Sequence, residues 1–466
     1  MIMARKPSSS PRGLKSENLV ALGAKKLAQI ITAQAKLDPV FARTVRMALA
    51  AKEDASALAH EIDKRLKTIR RSKSFLEWDK VRPLVRELDQ LRQTIVGPLA
   101  DQSPALAVEQ MRLFLSLAPS VYERSDDSSG KLGGIFRQGG EDLGALWVRA
   151  GNRKPEELAG EVLSLITADG YGIFDELPDA ASPALGQEGR AALRRIVLEK
   201  QETLSGGARR RFELSTGWLL PKLADLDDDV DAFITTVGSG RGNAIHNAQV
   251  AERLIAHGRA EEALEWIDAS PAGTHSEREL AVLRLAALEK LGRKDEAQAE
   301  RRRIFERWLD PDMLRAWLNG LPDFEDFDAE QEALDFVVQN YDATLALHFL
   351  INWPDLKRAA QLIRERGDKL DPRAYEVLRP SAQTLEHHDA AAASLLYRIL
   401  VTGVLGRAIS KYYPYAARDF FAAAKLADVI VTHDTLPSHA EWIAELRRLH
   451  GRKVGFWSLV DKKVRR

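Results

Sequence analysis

The chain of 466 residues contains no cysteine, which excludes disulfides, thiol nucleophiles and cysteine-held zinc. Neither sign of charge is in excess, because 68 Lys and Arg residues balance 68 Asp and Glu residues. The general attraction of a basic protein for nucleic acid is therefore missing. Long apolar runs are missing too. A secretory leader needs roughly 7–15 apolar residues near the start and a membrane span roughly 20. Neither pattern is found, so the expectation is a cytoplasmic protein with no membrane partner. β-branched runs bounded by turn residues are nearly absent, so strands are not expected. No residue set suggests a cofactor, a metal or a catalytic constellation, and the expectation is that the chain is not an enzyme.

What the sequence does have is helix-forming residues in helical register. Alanine, leucine, arginine and glutamate dominate, and these favour helices. Leu58, Ile62, Leu66 and Ile69 recur at the spacing of one apolar helix face, with Lys64, Lys67 and Arg71 opposite. Further helices are predicted from Asp79–Pro83, carrying Leu84, Leu88 and Leu91, and from Pro104 to Leu117. Residues 1–16 read as a disordered basic tail, because Ser, Pro, Lys and Arg cannot bury enough surface to offset chain entropy. A helical region follows over 17–150, then a middle helical region over 151–243. The glycine-rich segment Gly238–Asn243 is the clearest linker signal, and 244–460 forms the last region.

That last region repeats. Gly258-Arg259-Ala260-Glu261-Glu262-Ala263 recurs as Gly292-Arg293-Lys294-Asp295-Glu296-Ala297, an offset of 34 residues and the tetratricopeptide period. Each glycine is placed to close one helix, and each small alanine lets the returning helix approach. Ala416, Phe420 and Ala423 reproduce the spacing of a second helix of such a unit, but out of phase with the first two. The fold class expected is all-α: an α-solenoid of antiparallel helix pairs, tetratricopeptide-like in its C-terminal half.

Four local signatures support a resemblance. They are Arg71-Ser72-Lys73-Ser74-Phe75-Leu76-Glu77-Trp78, Glu123 to Gly130 followed by Phe136, Leu321-Pro322-Asp323-Phe324-Glu325-Asp326, and His450-Gly451-Arg452-Lys453 with Phe456-Trp457. Together they resemble a bacterial domain-of-unknown-function family of long helical proteins with tetratricopeptide-like C-terminal halves. The resemblance spans about Ser16 to Val460 and implies a fold but no activity.

Several patterns imitate functional sites. Asp225, Asp227, Asp229 and Asp231 open like a calcium loop, but Val230 and Thr236 stand where Gly and Glu are needed. The glycines of Gly238–Gly242 match no phosphate-loop spacing. None of the ten histidines shows metal spacing: His387 and His388 diverge by about 100° on a helix, and His433 and His439 flank Pro437. The turn Ser125–Gly130 has the composition of a helix cap.

Two surfaces remain as binding candidates. A solenoid presents an extended face to peptides or proteins, and Asn247, Glu252, Arg253 and Arg284 are the residues expected to line it for a protein or peptide partner. The alternative is a nucleic-acid-associated scaffold that uses Lys64, Lys67, Arg70, Arg71 and Lys73 together with Arg452 and Lys453, and it requires those clusters to converge. Between them lies an acidic stretch, Asp310 to Asp342, with Arg315 as its only basic residue.

Overall fold

The computed structural model describes residues 15–151, 153–238, 242–430 and 437–464. The expected basic tail over 1–16 lies outside them apart from Lys15 and Ser16, as do Ser239–Arg241 of the glycine segment and His433. Among the described residues every regular element is helical, and the only strand-like feature is an isolated bridge between Leu76 and Ser125. The chain divides into two compact units, Met1–Ser239 and Gly240–Arg466.

In the first unit, the apolar face of Leu58, Ile62, Leu66 and Ile69 is buried on the helix Ala55–Arg71. Trp78–Thr94, Pro104–Leu115 and Leu177–Thr203 all pack against Lys131–Ala150, which is the central helix of this unit. Residues on either side of position 150 thus belong to one packed body. The contact is close: a Cβ built on Gly144 would lie 2.2 Å from the Ala180 carbonyl oxygen. Pro98 lacks an N–H and sits in a π-turn, Ile95–Leu99. Arg149 accompanies it, donating to the carbonyls of Val96 at 3.3 Å and Ala100 at 3.1 Å.

Two of the resembling segments meet in this unit. The Leu76 N–H donates to Arg124 O at 2.7 Å, and the Asp126 N–H donates to Leu76 O at 3.0 Å. The Arg124 side chain is buried and reaches the carbonyls of Ile69 and Ser74. Burial holds its pKa below the usual guanidinium range. These segments therefore fasten the chain leaving Ala55–Arg71 to the turn before Lys131–Ala150.

The second unit is a run of helix pairs. Each helix packs on its successor along most of the path, and Ala244–Ala256, Glu325–Gln339, Ala343–Asn352 and Leu356–Arg366 also pack on the helix after next. This is the connectivity of an α-solenoid. Its first two hairpins are Ala244–Ala256 with Ala260–Asp268, and Glu277–Lys290 with Lys294–Trp308. They close in the same way at the glycine. Gly258 and Gly292 hold φ of 75° and 70°. Arg259 N–H bonds Leu254 O at 2.8 Å, and Arg293 N–H bonds Leu288 O at 3.0 Å, the paired closure that a left-handed glycine permits. Ala263 and Ala297 are buried, as are Ala416, Phe420 and Ala423 on the later helix Tyr413–Ala427.

Aspartates start many of these helices. Asp310, Asp342, Asp355 and Asp389 each accept a backbone N–H from the first turn that follows, an arrangement worth about 0.5–2 kcal/mol per helix. One helix, Ala390–Arg407, has the length and composition of a membrane span, which the sequence reading did not anticipate. Here Leu396, Leu400, Val401 and Leu405 are buried against Tyr375–Leu385 and Tyr413–Ala427, so it is the core helix of its unit.

Candidate functional site

The residues proposed to line the solenoid face do not form one surface. Asn247 is 0% exposed, and its Nδ2 donates to Ser270 Oγ at 2.9 Å. It ties its helix to the end of the next and is a core residue, which corrects the expectation that it binds a partner. Glu252 is exposed. Arg253 donates to Gln249 O at 2.8 Å, and Arg284 is ion-paired with Asp268. At 100° per residue, Asn247, Glu252 and Arg253 point in directions roughly 100–140° apart. They cannot share a face.

The basic residues lie in different units. On the first, Lys64, Lys67, Arg70, Arg71 and Lys73 are all exposed. Lys67 pairs with Asp63 at 2.8 Å, while the other four make no ion pair among the described residues. Arg70 and Arg71 occupy the last turn of their helix, where the helix dipole favours cations. On the second, Arg452 is exposed and Lys453 is half-buried at the start of Val454–Val464. Their neighbours are neutralised: Arg447 pairs with Asp461 and lies 4.0 Å over the Trp457 ring, and Arg448 pairs with Glu445.

The acidic stretch holds the feature that sequence reasoning missed. Phe324 precedes the helix Glu325–Gln339 with φ of 73°, a conformation disfavoured for a residue with a bulky side chain. Its ring is 92% exposed, and Phe327, one turn on, is 65% exposed. Asp323, Glu325, Asp326 and Asp328 flank them in sequence and make no ion pair among the described residues. Further along, the carboxylates are engaged: Glu330 accepts from Trp353 Nε1 at 2.7 Å, Glu332 meets Arg302, and Asp335 meets Arg358. The spacing carried the signal, since Phe324 and Phe327 have carboxylates at the positions where a buried face would continue.

The imitations of sites resolve into caps and ion pairs. Asp127 accepts from Leu132 N and Gly133 N at 3.1 and 3.0 Å, capping Lys131–Ala150, and Asp126 accepts from Ser128 N at 3.1 Å. Tyr122 packs beside this turn, its phenol pushed up to about 12 by burial and then by Asp127. Asp227 is held by Arg190 and Arg194, and Asp229 caps Val230–Val237. Among the described residues no group of three His, Asp or Glu side chains is placed to hold a metal ion. A groove of about 420 Å³ between Pro39–Glu53 and Trp78–Thr94 is walled by Val40, Met47, Ala51 and Leu91.

Stacked helix pairs closed by matching turns place the chain among all-α repeat proteins. It belongs to the family of unknown function DUF6880, whose model matches residues 9–459. Among solved structures, a "circular tandem repeat protein with novel repeat topology and enhanced subunit contact surfaces" is similar over 91% of this chain and 98% of its own. The identity is 13% and the TM-score 0.13. No curated protein matches the chain.

Proposed function

We propose that the protein is a non-enzymatic helical-repeat scaffold of the cytoplasm, tetratricopeptide-like in its C-terminal half, that binds another protein. The observation that carries this reading is the exposed pair Phe324 and Phe327, flanked in sequence by carboxylates that make no ion pair among the described residues. Exposed aromatic rings favour association, because burial releases water from them at about 25 cal/mol per Å². The carboxylates add selectivity for a basic partner surface and speed its encounter. Three of the four resembling segments are accounted for by packing, two at the Leu76–Ser125 bridge and one through buried Phe456 and Trp457. Leu321–Asp326 leaves Phe324 the more exposed, at 92% against 62% for Phe75 of the first segment.

The test is affinity capture from the native host at physiological salt, with and without nuclease, using the wild type and a Phe324→Ser, Phe327→Ser variant. The expected result is a protein partner that survives nuclease and is lost with the variant. Recovery of the same partner by both proteins refutes the assignment of this face.

A second reading rests on the exposed cations Lys64, Arg70, Arg71 and Lys73, which fit a nucleic-acid backbone. It requires binding that falls steeply between 50 and 200 mM salt, since phosphate contacts release counterions. Nucleic-acid binding that is flat across that range removes it.

A further inference from the structure

The second unit holds a cavity of about 250 Å³ that neither reading uses. It lies where Tyr375–Leu385, Ala390–Arg407 and Tyr413–Ala427 pack together. The floor is apolar, formed by Leu400 and Val404 on one face of the core helix, and Pro372 closes one side. Three tyrosine rings, from Tyr375, Tyr412 and Tyr415, form the walls. All three are only partly covered, and no hydroxyl among them makes a hydrogen bond to a described residue.

Two guanidinium groups complete the lining. Arg379 uses Nε and Nη2 on Asp419, at 2.9 and 2.7 Å, which leaves Nη1 unused. Arg407 donates only its Nε, to Gly403 O at 3.2 Å, and keeps both terminal nitrogens. The rim is cationic as well, with Lys411 5.0 Å over the Tyr412 ring and Arg418 5.8 Å over the Tyr415 ring. Of the nearby carboxylates, Asp419 is committed to Arg379, and Asp371 accepts from Arg373 N and Nε at 2.9 and 3.2 Å through Oδ1 and also feels the charge of Arg407, without an ion pair between them among the described residues. Glu376 follows Tyr375 in sequence and makes no ion pair among the described residues.

The backbone arranges these groups in advance. Ala408 takes a left-handed conformation, φ 56°, directly after the core helix. That turn sends the chain through Ser410–Tyr412 and into Tyr413–Ala427, bringing Tyr412 and Tyr415 back beside Arg407.

The geometry points to a binding site for a compact aromatic anion, a single ring bearing a carboxylate or phosphate. Apolar floor and aromatic walls select a flat ring, and the unused guanidinium nitrogens select an oxyanion through charge-assisted hydrogen bonds. The volume is below the roughly 300–1,000 Å³ of sites for drug-sized ligands, which limits the ligand to about one ring. This inference is independent of the Phe324 face and of the scaffold reading.

The experiment is calorimetric or saturation-transfer titration of the full chain with phenyl phosphate, benzoate, benzyl alcohol and inorganic phosphate. Phenyl phosphate and benzoate bind with Kd below about 1 mM, the affinity reasonable for so small a ligand. Benzyl alcohol lacks the charge and inorganic phosphate lacks the ring, so both bind at least about tenfold more weakly. Arg407→Gln reduces aryl-anion affinity by about 10–100-fold, the effect of one charge-assisted contact. Tyr415→Ala reduces it as well, and both positions are exposed enough for the fold to persist, which circular dichroism checks. A phosphotyrosine peptide separates two sources of the same chemistry. Tighter binding than phenyl phosphate assigns the ring to a protein partner, and weaker binding assigns it to a free small molecule. The proposal is overturned if no aryl anion binds below about 10 mM, if either control matches phenyl phosphate, or if Arg407→Gln binds like the wild type.

Discussion

Asp419 is 1% exposed and meets Arg379 through both carboxylate oxygens. Removing one partner of such a pair leaves the other charge uncompensated, at about 3–5 kcal/mol. Asp419→Ala should lower the urea midpoint by an amount that corresponds to this loss. Gly144 faces backbone rather than a flexible side chain, so Gly144→Ala forces the helix Leu177–Thr203 to move. A cost of about 1–3 kcal/mol is expected in the same measurement. His439 packs at a tilt against both Phe420 and Trp442, ring centroids 5.7 and 5.4 Å apart. Burial, and then the charge of Arg398, holds its pKa below the usual imidazole value. Below pH about 6.5 the unfolded chain takes up a proton that the folded chain refuses, so stability falls as pH drops. The thermal midpoint should decline between pH 7 and pH 5, and His439→Phe should shrink that decline. A pH response unchanged in the variant excludes this histidine as a source. At this scale the sequence was least informative. Asn247 is a polar residue that is buried, which only tertiary packing sets, and Phe324 an apolar one that is exposed, of which the neighbouring carboxylates were the one local sign.

Elements were more legible, because the physics that starts and stops a helix is local. The face Leu58, Ile62, Leu66 and Ile69 follows directly from periodicity. The hairpins at Gly258 and Gly292 were readable because glycine marks a left-handed closure. Alanine there meets a penalty of about 1–2 kcal/mol. Gly258→Ala and Gly292→Ala should therefore cost similar amounts in equilibrium unfolding, and a large inequality would deny that the two turns are equivalent. Register was lost after the second hairpin for the same physical reason in reverse. Leu309, Phe324 and Ala408 adopt the left-handed conformation without being glycine, so those turns carry no mark in the sequence. The tyrosine cavity was hidden differently. Tyr375 and Arg379, Leu400 and Val404, and Tyr412 and Tyr415 have helical spacing within each pair, but their convergence depends on three separate helices.

For the whole molecule, each of the two units has its own set of buried residues. The first has a core from Ala50 to Leu223, and the second has clusters built around Phe305–Leu426 and Val401–Val460. Residues 240–466 produced alone should give a cooperative thermal transition by circular dichroism. A featureless melt would mean that this unit depends on the rest of the chain. Within it, the Gly258 and Gly292 closures have a consequence for how such a chain can change over generations. Arg293 reaches back to Glu261 at 2.6 Å, so the second hairpin brings its own fastener to the first. Duplicating one 34-residue stretch would supply the corner, the fastener and the small contact residue together, in frame. The protein can lengthen by copying, with no new joint to invent.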